Sequence, residues 1–251
     1  MEHDFLELKL WLDETRDLPL ETMSGFFDSR IDSYEDHMAR WKKHYQWMAE
    51  LIPPDTKKLL DLGCGTGLEL DCIYSRFPDL QVTGVDLSAQ MLKKLQQKHG
   101  DKGIQLILQD YFLFEPEEDC FDVVITFQTL HHFTAEKKRS VFRKIYNALK
   151  PGGLYLECDY IASSQEIEEL TYAESLRRRA RDGISKDTFV HFDTPLTLEH
   201  ELTAIGFAGF QAAECLGFLA EDNHTAMIRA KKEPCSIQRK QDLLSDSANR
   251  L

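Results

Sequence analysis

A short apolar run ending in glycines at every second position constrains this chain more than any other feature. Leu59-Leu-Asp-Leu-Gly-Cys-Gly-Thr-Gly-Leu68 reads as a strand that enters a tight turn and leaves it as a helix. Gly63 permits the sharp turn, Gly65 lets backbone approach a ligand, and the helix start offers free N–H groups to a carboxylate or phosphate. Such a unit belongs to α/β folds, and the neighbouring sequence agrees. Residues 58–62, 81–86, 104–108, 121–127 and 154–158 form short apolar runs. Between them lie helical patterns over 68–77, 88–99 with Ser88 as N-cap, and 134–149 with Val141, Phe142, Ile145 and Leu149 on one face. Alternation at this spacing predicts right-handed crossovers and a parallel sheet covered by helices on both faces. Residues 209–218 and 224–231, joined by a turn at 221–223, predict an antiparallel C-terminal hairpin, making a mostly parallel seven-stranded sheet.

Two regions fall outside the alternation. Tyr34, His37, Met38, Trp41, Tyr45, Met48 and Ile52 recur at steps of three and four, the apolar face of a helix packed on the sheet. Residues 160–196 form an insertion with its own helix over about 165–181, and insertions at strand carboxyl ends tend to cover sites. The expected organisation is an N-terminal helical cap over 1–52, a core domain over 53–232 that contains the insertion, and a flexible tail over 233–251. Cap and insertion together predict a lid.

With 251 residues, 42% hydrophobic and 29% charged, the chain has an ordinary globular composition, enough for one elaborated domain. Its 30 Lys and Arg against 43 Asp and Glu leave a net charge of −13, which disfavours a phosphate backbone, so no DNA partner is expected. No positively charged leader or spanning apolar stretch is evident, and the six cysteines contain no C-x-x-C pair. These traits predict a soluble cytoplasmic protein with reduced thiols, away from membranes, as a monomer or homodimer.

The glycine turn departs from the dinucleotide fingerprint, because Leu68 stands where the last glycine belongs. Asp86 ends the second strand, placed to accept hydrogen bonds from ribose hydroxyls, and Asp110 follows the third strand in the same way. Taken with Gly84-Val-Asp86-Leu-Ser88, Gln109-Asp110-Tyr111, Phe121-Asp-Val-Val-Ile125 running on to Leu130-His-His132, and Leu149-Lys-Pro-Gly-Gly153, the chain resembles the class I S-adenosylmethionine-dependent methyltransferases, which are Rossmann-like. The resemblance is close over about residues 57–160. It implies S-adenosylmethionine as cofactor, with Asp61, Gly63, Cys64 and Gly65 holding the methionine portion. Asp86 would bind the ribose, Leu87 would lie against the adenine, and Asp110 would accept from its amino group. Tyr111 would add backbone contacts, while Phe127 and Gln128 would border the sulfonium. Tyr34 of the cap joins this cofactor-binding set.

A sulfonium methyl is already electrophilic, so the protein mainly holds a nucleophile in line with it in a water-poor cleft. A base helps if that nucleophile arrives protonated. Catalytic candidates are His131 and His132 past the fourth strand, Asp159 with Tyr160 after the fifth, and His191 with Asp193 in the insertion. Structural duties compete. One of His131 and His132 could pack while the other starts a helix, and His191-Phe-Asp-Thr-Pro195 could lead into a helix capped by Asp193 or Thr194. These His and Asp residues also have metal-ligand chemistry, but their spacing matches no metal signature, and no metal is expected. Arg177-Arg-Arg179 and Arg181 read as a solvated helix face neutralised by nearby glutamates, or as an anion site if they face the cleft.

Amino-directed nucleic-acid methylases of this family carry an Asn/Asp-Pro-Pro-aromatic run where this chain has Thr126-Phe-Gln-Thr129. Neither Cys120 nor Cys158 has the setting that cytosine-carbon methylation requires. The favoured expectation is methyl transfer to a small-molecule acceptor. The alternatives are a methylase acting on protein or RNA, and a cofactor-binding regulatory protein without catalysis; a nicotinamide oxidoreductase is the remote fourth.

Overall fold

The computed structural model describes residues 2–185, 187–220 and 222–234; most of the predicted tail, from Cys235 onward, lies outside the described residues. Four helices come first: α1 (Glu2–Glu14), α2 (Met23–Ser29), α3 (Tyr34–Met38) and, after a 3₁₀ turn at Ala39–Trp41, α4 (Lys42–Leu51). The alternation follows as β1 (Lys58–Leu62), α5 (Leu68–Arg76), β2 (Gln81–Asp86), α6 (Ala89–His99), β3 (Gln105–Leu108), β4 (Phe121–Phe127), α7 (Ala135–Ala148) and β5 (Leu149–Tyr160). The chain continues through α8 (Gln165–Asp182), α9 (Leu198–Phe207), β6 (Ala213–Leu219) and β7 (Asp222–Lys231). Among the described residues no helix is long and apolar enough to cross a membrane.

The seven strands form one sheet in the order β3-β2-β1-β4-β5-β7-β6, in which β7 alone runs against the rest. Period-two alternation along the buried strands feeds two cores. Leu59, Val123, Ile125 and Leu156 face Met48, Ile73 and Leu95 of α4, α5 and α6. Leu60, Val124 and Tyr155 face Phe142, Ile145 and Ile205 of α7 and α9 on the other side. Strand order reverses between β1 and β4, and the crevice beyond the carboxyl ends of these strands is where such sheets bind ligands.

Several expectations need correction. The apolar face from Tyr34 to Ile52 is not one helix, because the 3₁₀ turn at Ala39–Trp41 breaks it; Met38, Tyr45, Met48 and Ile52 are nevertheless buried. The fifth strand starts at Leu149, five residues early, since Leu149 pairs with Phe121 and an irregularity absorbs Pro151 and the glycines after it. The C-terminal hairpin is tighter than predicted: Leu219 pairs with Asp222, so Asp222 and Asn223 belong to the strand rather than the turn. Residues 193–195 do not start a helix; α9 begins later, capped by Thr197, whose side chain accepts from the His200 N–H. Nor does His132 open α7, which starts at Ala135.

The insertion and the N-terminal helices are stitched into one cap. Thr22 bridges Val190, the Met23 N–H donates to the Phe189 carbonyl at 3.0 Å, and the His191 N–H donates to the Glu21 carbonyl at 3.0 Å. Leu12, Val190 and Phe192 bury against one another. Here the arginine run finds its role. Arg178 donates to the Leu12 carbonyl and the Thr15 hydroxyl, Arg181 to the carbonyls of Arg16 and Leu18, and Arg177 pairs with Glu174 at 2.6 Å. The run satisfies the open carbonyls at the end of α1 instead of facing the cleft as an anion site.

Candidate active site

At the end of β1 the chain turns through Gly63, Gly65 and Gly67, all with positive φ (76°, 49° and 69°). All three positions are also crowded. A side chain on Gly63 would collide with Thr129, one on Gly67 with Leu95, and one on Gly65 would come within 3.3 Å of the Tyr34 hydroxyl. Asp86 holds the turn from β2: its carboxylate accepts from the Gly65 N–H at 2.9 Å and from the Ser88 N–H at 2.7 Å. Ser88 caps α6 as predicted, accepting from the Met91 N–H at 3.1 Å.

A narrow space of about 70 Å³ lies beside this turn. Gly63, Gly65, Asp86, Leu87, Asp110, Tyr111, Phe127, Gln128 and Tyr34 all line it. Asp110 ties down the next loop by accepting from the Phe112 N–H at 2.8 Å, and the Tyr111 hydroxyl donates to the Thr129 carbonyl at 3.2 Å. Gln128 has φ +48°, a conformation unusual for a residue with a side chain, fixed by its N–H on the Cys158 carbonyl at 2.8 Å. Two members of the predicted set are placed differently. The Cys64 side chain packs into the core, where Sγ would be 2.9 Å from a Cβ on Gly84, so only its backbone serves the turn. Asp61 lies beneath the turn, 1% exposed, and neither of its oxygens has a hydrogen-bond partner. Burial, then the charge of the adjacent Glu69, holds Asp61 well above the usual carboxylate range, and Glu69 is itself raised by burial, so the pair retains a proton.

The residues absent from the predicted set come from the cap and from aromatic packing. Met23, Ser24 and Phe27 of α2 close the space from above, while Phe112, Phe133 and Phe189 wall it with ring centroids 4.7–5.4 Å apart. The only sequence signal for α2 is Thr22, which caps the helix by accepting from the Gly25 N–H.

A larger cleft of about 1120 Å³ adjoins this space, and Phe27, Tyr34, Gln128 and His132 border both. His131, Tyr160, His191 and Asp193 line the cleft, so most of the predicted catalytic candidates meet there. Asp159, 1% exposed, lies behind them. It accepts from His131 Nδ1 at 2.5 Å, from the Leu130 N–H at 2.8 Å and from the Tyr160 N–H at 2.8 Å. His131 Nε2 lies 3.5 Å from Asp193 Oδ1, and His132 Nδ1 lies 3.1 Å from the same oxygen. Burial opposes charge on His131, but Asp159 and Asp193 outweigh it and raise the imidazole to about 10, so it is an imidazolium at neutral pH. Burial and the charge of His131 lower His132, leaving it neutral. His191 stacks on Phe26 with centroids 3.4 Å apart; burial and its histidine neighbours push it down to about 3.

A glycine turn at the sheet's switch point, with an acid closing the second strand, defines a nucleoside-binding α/β protein of the Rossmann-like type. The family described as a methyltransferase domain matches residues 59–153. Over 39% of the chain and 37% of its relative, it is 30% identical to malonyl-[acyl-carrier protein] O-methyltransferase 2 of Ilyobacter polytropus. It is 28% identical to carboxy-S-adenosyl-L-methionine synthase of Campylobacter lari over 59% of the chain and 67% of that protein. Human N-acetylserotonin methyltransferase, solved in complex with SAM, shares the fold with a TM-score of 0.60 at 20% identity, over 85% of this chain and 59% of that one. The chain thus spans roughly half the length of the proteins it matches. Residues 59–153 therefore match a methyltransferase domain, and the chain is similar there to proteins that use S-adenosylmethionine.

Proposed function

We propose that this protein transfers the methyl group of S-adenosylmethionine to a small-molecule acceptor held in the cleft beneath the cap. One observation carries the reading: the space lined by the cofactor-type residues adjoins a larger cleft, the two sharing Phe27, Tyr34, Gln128 and His132. The residues present suit the cofactor. The buried Asp61 carboxyl would match an ammonium on giving up the proton it holds with Glu69, Asp86 retains lone pairs for ribose hydroxyls, and the bare Gly65 backbone leaves room beneath Tyr34. S-adenosylmethionine would supply an electrophilic methyl on a sulfonium.

What remains for the chain is to orient the acceptor, exclude water and manage a proton. The aromatic wall and α2 exclude water. His132, neutral and bordering both spaces, is the group in reach to take a proton from an acceptor hydroxyl, ammonium or thiol. His131, charged and clamped by Asp159, orients an acceptor and does not act as the base. The net charge of −13 and the histidine-lined cleft support a small molecule over a nucleic acid.

Calorimetric titration with S-adenosylhomocysteine, followed by a metabolite panel scored by its release from S-adenosylmethionine, tests the reading. Saturable binding with turnover on a small acceptor is expected. A protein that binds neither form of the cofactor refutes it.

A further inference from the structure

The cleft gathers three polar side-chain atoms, two of which have no aligned hydrogen bond. His131 Nε2, His132 Nδ1 and Asp193 Oδ1 come from two segments far apart in sequence, yet the three donor atoms lie within 4.8 Å of one another. His132 is 9% exposed, and both His132 Nδ1 and Asp193 Oδ1 are sealed from solvent with no aligned hydrogen bond. Buried polar atoms in folded proteins are nearly always partnered, so this pair asks for a third body between them. The spacing suits an ion. Donors bound at ~2.1 Å in a tetrahedral arrangement sit about 3.4 Å apart, against the 3.1 Å and 3.5 Å found here.

The surroundings are those of a metal centre. Asp159 accepts the Nδ1 proton of His131 at 2.5 Å, so a cation that displaces the proton on Nε2 finds that nitrogen aimed outward, the role a carboxylate plays behind a metal-bound histidine. Asp159 is fixed in turn by the backbone N–H groups of Leu130 and Tyr160. The two ligand-bearing segments are locked together, because the Thr194 N–H donates to the His131 carbonyl at 2.8 Å. The other side of the cluster faces the large cleft, which leaves coordination positions open to a ligand.

We propose that His131 Nε2, His132 Nδ1 and Asp193 Oδ1 bind one divalent transition-metal cation of the zinc type, with an open position facing the acceptor cleft. Two imidazoles and one carboxylate select such a cation over magnesium or calcium, which take oxygen donors. Cation binding stands apart from the methyl-transfer reading; only its consequence rests on that reading. With the cation in place, an acceptor hydroxyl or thiol would be held by coordination, which lowers its pKa so that it gives its proton to water in the open cleft, and His132 serves as a ligand in place of taking that proton.

The test uses the full chain, freed of any affinity tag and treated with a chelator, titrated calorimetrically with Zn²⁺ and separately with Co²⁺. One equivalent of Zn²⁺ should bind, and His132→Gln and Asp193→Asn should each weaken it at least tenfold, with folding of each variant verified by circular dichroism. The wild-type Co²⁺ form should show the strong visible absorption of four- or five-coordinate cobalt, a readout that survives if a variant fails to fold. No stoichiometric binding, a six-coordinate cobalt spectrum, or undiminished binding in folded variants overturns the proposal. Titration of the same chelated protein with S-adenosylhomocysteine separates the two readings: cofactor binding without zinc binding sinks only this one, and zinc binding without cofactor binding sinks only the other.

Discussion

Two carboxylates at the ends of adjacent strands carry different tasks. Asp86 is engaged by the N–H groups of Gly65 and Ser88 and still offers lone pairs, so its removal loses both the ribose contact and the clamp on the turn. A hydrogen bond to a charged group is worth about 1.5–3 kcal/mol, so Asp86→Ala should lower S-adenosylhomocysteine affinity at least tenfold by calorimetry. Asp61 shares its buried setting with Glu69, and the folded protein without ligand retains a proton that the unfolded chain releases in the ordinary carboxylate range. The native state therefore binds more protons than the unfolded one. This contribution to stability is full below the ordinary range, near pH 4, and declines as pH climbs toward the raised value. A ligand ammonium on Asp61 displaces the same proton, so S-adenosylhomocysteine affinity should rise over that interval. Thermal unfolding and calorimetry across pH, each compared with Asp61→Asn, provide the check; identical slopes in both proteins would remove Asp61 from the account. Asp86 was legible from its place at a strand end. Glu69 was not, because a glutamate in the first turn of a helix reads as a solvated cap until tertiary packing seals it.

Among the elements, the sheet and its crossover helices were readable because the central strands are buried on both faces and each helix on one, so their patterns survive in the sequence. Within the predicted helical cap, α1 and α2 were not individually legible, because α1 leaves Leu6 and Leu10 more than half exposed and Trp11 close to half, which blurs its apolar stripe. The ion pair of Lys138 on α7 with Glu201 on α9 was equally invisible. Both side chains are fully buried, 2.5 Å apart, with Glu157 of β5 close by and held protonated by burial and by the charge of Glu201. Removing one partner of such a pair costs about 3–5 kcal/mol, whereas replacing both with apolar groups is often neutral. Lys138→Met should therefore lower unfolding stability by about that amount in urea titrations. The double replacement Lys138→Met with Glu201→Leu should recover most of it, and a double variant as weak as the single one would show that the pair does more than compensate itself.

For the whole molecule, the question is how a cofactor reaches its place. Ligand sites usually offer about 300–1,000 Å³, yet the space beside the glycine turn measures about 70 Å³ under α2. The cap must therefore move for a nucleoside to enter. Where α2 and α3 meet α6 the attachments are polar: Ser88 donates to Asp28 at 2.5 Å, Lys94 to the Ile31 carbonyl at 2.5 Å, and Lys98 pairs with Glu35 at 3.3 Å. By contrast, the cap's internal seams combine backbone bridges with the Leu12, Val190 and Phe192 cluster. The segment around α2, latched to α6 by these polar contacts, is the part of the cap free to swing, on the timescale of lids that gate binding and release. Neither Asp28 nor Lys94 itself lines the cofactor space, so loosening their contacts acts first on gating. Asp28→Ala should speed both association and dissociation of S-adenosylhomocysteine several-fold in stopped-flow measurements, while its equilibrium affinity and the melting temperature change little. If both rates stay at wild-type values, cap movement does not limit entry, and the narrow space must widen by rearrangement of the aromatic wall formed by Phe112, Phe133 and Phe189.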